Sequence, residues 1–183
     1  DTAEINKRRF ADAAILGDLK TNLPALAMPL AIDPWQQKCE QMRVDFAWQY
    51  DHPGENIFAP AVLKQISDAM PKNSCVTTDV GQHQMWAAQH MLFDDPCNFL
   101  TSGGMGTMGF GIPAAIGAQV SRPKDCIIAV SGDGSFMMNV QELSTIKRFQ
   151  LPVKIVLIDN AKLGMVRQWQ DLFFDGRLSE TDL

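Results

Sequence analysis

From Ala59 onward, short apolar runs alternate with longer segments whose apolar residues recur at three- and four-residue spacing. The short runs Ser74–Asp79, Asn98–Thr101, Asp125–Ser131 and Val153–Asp159 read as strands. The longer segments read as helices at 60–70, Gln82–Met91, Phe110–Val120, Ser135–Phe149 and Leu163–Phe173, the first opening at Pro60 and stopping before Pro71. Strands regularly separated by helices predict an α/β fold with a doubly wound parallel sheet. Before Ala59 the pattern is weaker. Phe10–Leu16 is expected as a strand and Asp18–Leu23 as the helix after Gly17, while Pro24 to Pro34 carries three prolines and reads as a linker. Asp33-Pro34 then suggests an N-cap with proline at the first helical position. The helix it opens, to about Trp48, carries Trp35, Cys39, Met42 and Phe46 along one stripe. The expected partition is 1–30 as the tail of a preceding domain, 31–58 as a linker with one helix, and 59–183 as the sheet domain. No strand closes the sheet after the last helix, so that domain is expected to be incomplete.

Composition narrows the function. Of 183 residues, 46% are apolar and 20% charged, an ordinary balance for a chain that buries a core. The net charge of −5 and the lack of a dense Lys/Arg stripe argue against nucleic acid as a partner. No run approaches the roughly 18 apolar residues of a membrane span, and Asp1 to Arg9 has no signal-peptide pattern. The four cysteines (Cys39, Cys75, Cys97 and Cys126) are scattered, without a C-x-x-C pair or metal spacing. Buried or idle thiols in a reduced, cytoplasmic protein are the expectation. The chain does not begin with Met, which suggests a piece of something longer.

The chemistry gathers at strand ends. Gly132-Asp133-Gly134-Ser135 follows the apolar run Cys126–Val130, and Asp159-Asn160 follows Lys154–Ile158. The carboxyl ends of parallel strands are where open α/β sheets bind ligands. Gly132 and Gly134 let the backbone approach a ligand closely, and the helix after them would point free N–H groups, including that of Ser135, at an anion. A diphosphate there would be repelled by the Asp133 carboxylate unless a cation lay between. Magnesium, with its demand for oxygen ligands, resolves the conflict, and the Asn160 amide carbonyl is a suitable neutral ligand. A lone G-D-G is equally a tight turn capping a helix; the D-N at the next strand tip is what favours the ligand reading.

Gly132-Asp133-Gly134, 24 intervening residues, then Asp159-Asn160 resembles the thiamine diphosphate motif written GDG followed by NN. Asp159 departs from the first Asn, but the metal-binding position of the motif is the second, Asn160. Three further segments resemble acetolactate (acetohydroxyacid) synthases. The first is Thr101 to Gly111, with five of the 13 glycines, which otherwise reads as a flexible loop feeding a helix. The second is Asp79-Val80-Gly81-Gln82-His83-Gln84-Met85-Trp86, where His83 alone reads as a surface helix residue. The third is Gly164-Met165-Val166-Arg167-Gln168-Trp169-Gln170, where Met165, Trp169 and Phe173 alone read as a core stripe. Together these segments lie between Asp79 and Gln170.

The resemblance implies that Val80, Gly81, Gln82 and His83 embrace the diphosphate with Gly132, Asp133, Gly134 and Ser135. It implies that Gly106 and Met108 border the cofactor, with Met108 against the pyrimidine, and that Gly164, Met165 and Val166 contact it. Met165, Val166 and Trp169 would line the substrate channel. Asp133, Asn160 and the backbone carbonyl of Lys162 would hold Mg2+. The implied activity is decarboxylation of pyruvate and condensation with pyruvate or 2-oxobutyrate in branched-chain amino-acid synthesis. Also implied are FAD outside this chain, a homo-oligomer of at least two subunits, and a small regulatory subunit. The activating glutamate of such enzymes lies on a neighbouring subunit's pyrimidine-binding domain. None of Glu4, Glu40, Glu55, Glu142 and Glu180 lies in a similar context, so the chain alone is expected to be inactive. Two alternatives stand beside this reading: a pyruvate oxidase or 2-oxoacid decarboxylase, and a non-catalytic α/β binding module.

Overall fold

The computed structural model describes residues 2–51 and 54–183, which form two compact units, one up to Trp48 and one from Gln49 onward. The first unit holds helices α1 (Leu19–Leu26) and α2 (Asp33–Asp45). Phe10–Leu16 is irregular rather than a strand. A strand needs a neighbour for its backbone groups, and this unit supplies none among the described residues. Helix α1 is capped by Asp18, whose Oδ1 accepts the Lys20 N–H at 2.7 Å, and it runs through Pro24 into the expected linker. In α2, Asp33 is the first helical residue rather than the cap; Ile32 precedes it without a side-chain cap. The Trp35, Met42 and Phe46 stripe is exposed.

The second unit contains α3 (Ala59–Ala69), β1 (Cys75–Thr78), α4 (Gln82–His90), β2 (Phe99–Thr101), α5 (Gly111–Ser121) and β3 (Ile127–Gly132). It continues with α6 (Asp133–Met138), α7 (Leu143–Arg148), β4 (Lys154–Ile158) and α8 (Gly164–Phe173). The four strands make one parallel sheet in the order β2-β1-β3-β4. Successive strand residues face opposite sides, so β1 and β3 feed two cores. Val76, Ile128 and Val130 pack with Leu63 from α3, Ala87 from α4 and Met91 just after it. Cys75, Ile127 and Ala129 pack with Ile112, Ala115 and Ala118 from α5. Helices thus cover both faces, and β1 and β3 are buried throughout. All four cysteines are free thiols, and burial pushes the Cys75 thiol pKa up, as befits an inert core residue.

The chain passes from β1 to β2 on one side and then crosses to β3 on the other. The strand order therefore reverses between β1 and β3, which places the ligand-binding crevice at their carboxyl ends.

The helix expected over Ser135–Phe149 is broken. Helix α6 stops at Met138, a 3₁₀ turn spans Val140–Glu142, and α7 begins at Leu143. The cause is Asn139: its backbone turns out of the helix at φ −135°, and its Nδ2 donates to the Gly109 carbonyl at 2.6 Å. Gly109 sits at φ +81°, and a Cβ there would lie 2.8 Å from that same nitrogen. The break ties the glycine-rich loop down, at the expense of helix continuity.

Candidate functional site

The β1 tip begins with Asp79, fully buried. Its Oδ1 accepts the Gly111 N–H at 2.5 Å and its Oδ2 accepts a short hydrogen bond from the Ser131 hydroxyl. One carboxylate thereby joins the end of β1, the start of α5 and the end of β3. Asp79 was not among the predicted site residues; only its position at a strand tip hinted at a role.

Gly81 and Gly132 flank the imidazole of His83. A Cβ on either glycine would stand 2.8 Å from His83 Nδ1, so the ring sits in a slot that only glycine leaves open. His83 is buried, not a surface residue, and its Nε2 has no hydrogen-bond partner among the described residues. Burial lowers its pKa, against the opposing pull of the Asp79 and Asp133 carboxylates. The ring is thus held towards its neutral form.

Asp133 opens α6. Its Oδ1 accepts the Gly134 N–H at 3.0 Å, while its buried Oδ2 has no partner among the described residues. The Ser135 hydroxyl donates to the Val80 carbonyl at 3.3 Å, which ties the two turns together. Met108 reaches across from the glycine-rich loop: its Cε lies 3.6 Å from where a Gly134 Cβ would be.

At the β4 tip, Asp159 Oδ1 accepts the Ala161 N–H at 3.0 Å and Asn160 Oδ1 accepts the Lys162 N–H at 3.1 Å. Asp159 thus turns its carboxylate onto its own loop, as an Asn there would turn its carbonyl, which accounts for the departure from the NN pattern. Asn160 Nδ2 donates to Gln82 Oε1 at 3.2 Å. Gly164 permits this contact, since a Cβ there would be 2.2 Å from Gln82 Oε1 and 2.6 Å from Asn160 Nδ2. Residues 161–163 pair with 181–183. Leu163 N–H donates to the Thr181 carbonyl at 2.7 Å, Leu183 N–H donates to the Ala161 carbonyl at 3.1 Å, and Lys162 Nζ bonds Asp182 Oδ1 at 2.9 Å.

These turns border one cleft that is open to solvent on one side. It gathers Val80 to His83, Met108, Gly132 to Ser135, Asn160, Lys162, and Gly164 to Val166. Trp86, Ile158 and Leu163 also line it, and none of the three is among the expected site residues. Gly106 and Trp169 lie outside its walls. Gly106 closes a turn of the glycine-rich loop at φ +69°, donating to the Ser102 carbonyl at 3.0 Å. Trp169 stands more than half exposed against Phe173, with ring centroids 5.2 Å apart, so the expected core stripe on α8 is open to solvent.

No glutamate lines the cleft among the described residues, and Glu142 accepts from the Thr145 hydroxyl at 2.9 Å. Nor do the described residues include a cluster of three or more His, Cys, Asp or Glu that could hold a metal. A cation here would need oxygens from phosphate, amide and backbone besides one carboxylate, a set that suits magnesium. The unpartnered Asp133 Oδ2 and His83 Nε2, and the glycine cradle that a Cβ would fill, fit a diphosphate with such an ion.

Residues 79–183 match the family model of the thiamine pyrophosphate enzymes, C-terminal TPP binding domain, and the chain belongs to this family. Within it, the chain is similar to acetolactate synthases. It is 63% identical over 183 residues, the whole of this chain, to acetolactate synthase isozyme 2 large subunit of Escherichia coli (strain K12), covering 33% of that protein. It is 43% identical over 197 residues to the chloroplastic acetolactate synthase 1 of Nicotiana tabacum, with 100% of this chain and 29% of the relative covered. It is 42% identical over 191 residues to isozyme 3 large subunit of E. coli, with 99% and 33% covered. The chain thus spans about a third of the length of the curated relatives it matches.

Proposed function

We propose that this chain is the diphosphate- and magnesium-holding part of an acetolactate synthase catalytic subunit. The reaction is decarboxylation of pyruvate and transfer of the remaining two-carbon unit to a second pyruvate or to 2-oxobutyrate. The observation that carries this reading is the similarity to acetolactate synthases over the whole chain, which takes in every segment lining the cleft. Thiamine diphosphate, when bound, supplies a centre that stabilises a carbanion next to a former carbonyl.

The chain's own residues bind and orient. Gln82, His83 and Ser135 grip the diphosphate beside Val80, Gly81, Gly132 and Gly134. Asp133, Asn160 and the Lys162 carbonyl hold magnesium. Met108, with Gly106 behind it in the same loop, supports the pyrimidine. Gly164 lets the metal loop close up, and Met165 and Val166 line the path along which substrate arrives, with Trp169 one turn further out. The neutral form of buried His83 donates one hydrogen bond to a phosphate oxygen without requiring a buried cation.

The rest of the enzyme supplies the activating glutamate from a partner subunit, which makes the working unit at least a homodimer. The reading also includes FAD outside this chain, a small regulatory subunit and a cytoplasmic location. Residues 1–30 are the tail of a preceding domain, and 59–183 belong to the cofactor domain. No helix among the described residues is long and apolar enough to cross a membrane.

The test is calorimetric titration of thiamine diphosphate into the full-length protein, with and without magnesium, for wild type and Asp133→Ala. Magnesium-dependent binding is expected in the wild type and its loss in the variant. Equal binding by both overturns the site. Product analysis with pyruvate should give acetolactate; acetaldehyde or acetate in its place overturns the subfamily and favours a decarboxylase or oxidase.

A further inference from the structure

The amide of Asn160 can face the metal with either its oxygen or its nitrogen, and only the oxygen can be a ligand. Nothing in the covalent structure of the residue decides between the two. The neighbours do. Asn160 Oδ1 accepts the Lys162 N–H at 3.1 Å and Nδ2 donates to Gln82 Oε1 at 3.2 Å, so both ends of the amide are held and Oδ1 faces the loop. Gln82 could offer either end as well, and its orientation is set by Gln168 on α8, whose Oε1 accepts from Gln82 Nε2 at 3.0 Å. The Gln82 oxygen is thereby committed to Asn160. Gly164 is the residue whose missing side chain lets the Gln82 and Asn160 amides meet.

We infer that Gln168 is a positioning residue that acts through Gln82 to aim the Asn160 carbonyl oxygen at the metal. This deepens the proposed magnesium site and rests on it. Three amides in series pass a donor–acceptor polarity from the half-buried first turns of α8 to the exposed tip of β4. Hydrogen bonds one step removed from a metal fix ligand orientation in the same way in other metal sites. None of the three groups titrates, so the alignment holds at any pH at which the fold survives.

The test is a double-mutant cycle in the full-length protein, with Gln168→Met, Gln82→Met and the pair. The readout is the apparent magnesium dissociation constant at saturating thiamine diphosphate, followed by the change in tryptophan fluorescence on binding. Methionine keeps the length of the side chain and removes both amide groups. Gln168→Met is expected to weaken magnesium about tenfold, the low end for losing such a supporting bond. In the Gln82→Met background the same change should do nothing further, because the relay is already cut. Gln168→Glu, which keeps an oxygen for Gln82, should restore near-wild-type affinity. A structural role of Gln168 in packing α8 would persist in the Gln82→Met background, and that result overturns the inference. So does an unchanged magnesium constant in Gln168→Met where Asn160→Ala weakens it. If Asn160→Ala itself leaves the constant unchanged, the magnesium site as a whole is wrong and the relay falls with it.

Discussion

Replacing Asp79 with Ala would test how the two central strand tips are held. Its carboxylate is fully buried, makes no ion pair among the described residues, and satisfies two donors, the Gly111 N–H and the Ser131 hydroxyl. Two effects compete. Keeping a charge out of water costs several kcal/mol, which favours its removal. Leaving two buried donors unpaired costs about 1–3 kcal/mol each, on top of the cavity left by the side chain. Asp79→Ala bears the second cost in full and should lose about 3–5 kcal/mol. Asp79→Asn separates the terms: it removes the charge, keeps one acceptor oxygen for Gly111, and leaves its NH2 facing a hydroxyl that can rotate to accept. A loss of only about 1–2 kcal/mol is expected, since hydrogen bonds to charged acceptors are the stronger ones. Urea unfolding of the chain, followed by far-ultraviolet circular dichroism, reads both values. An Asn variant more stable than wild type would mean that desolvation dominates, and would refute this account of the strand tips.

Three further outcomes follow from the same geometry. Gly164→Ala should leave thermal stability within about 1 kcal/mol, because better helix propensity offsets the local crowding. It should still weaken magnesium-dependent cofactor binding tenfold or more, since the added Cβ would sit 2.2 Å from Gln82 Oε1; calorimetry giving wild-type affinity would contradict the crowding. Burial lowers the pKa of His83 from 6.5, so below pH 6.5 the unfolded chain takes up a proton that the folded one resists. Stability should therefore fall as pH drops through 6.5 and on towards the depressed folded value, and His83→Asn should flatten that part of the profile in melts at stepped pH. The 183-residue chain purified alone should form no acetolactate from pyruvate with cofactor and magnesium, measured colorimetrically, because no glutamate lines its cleft among the described residues.

Much of the second unit was legible because its two central strands are buried on both faces. Cys75–Thr78 and Ile127–Gly132 lack polar alternation, and their helices begin and end at Gly, Pro or polar turns. The cleft was legible for a related reason: parallel strands all deliver their turns to one edge, so residues distant in sequence meet there. Other features depend on contacts that periodicity does not carry. The break at Asn139 is made by a bond to Gly109, 30 residues away, against a locally helical pattern. Asp79 looks like any polar strand end until Gly111 and Ser131 are placed around it. Phe10–Leu16 has strand-like composition but no partner strand among the described residues of its unit. Gly106 and Trp169 belong to segments that reach the cleft, yet which residue of a turn faces inward depends on backbone torsions that spacing does not encode.

The pairing of residues 161–163 with 181–183 has a kinetic meaning. Ordering a loop costs about 1–2 kcal/mol per residue, and here folding has already met that cost for the segment that carries Lys162. A ligand arriving at the β4 tip meets a formed surface rather than a searching chain. Its capture should then scale linearly with ligand concentration in a single phase, and loosening the 181–183 pairing would turn that step into a slower, saturating one.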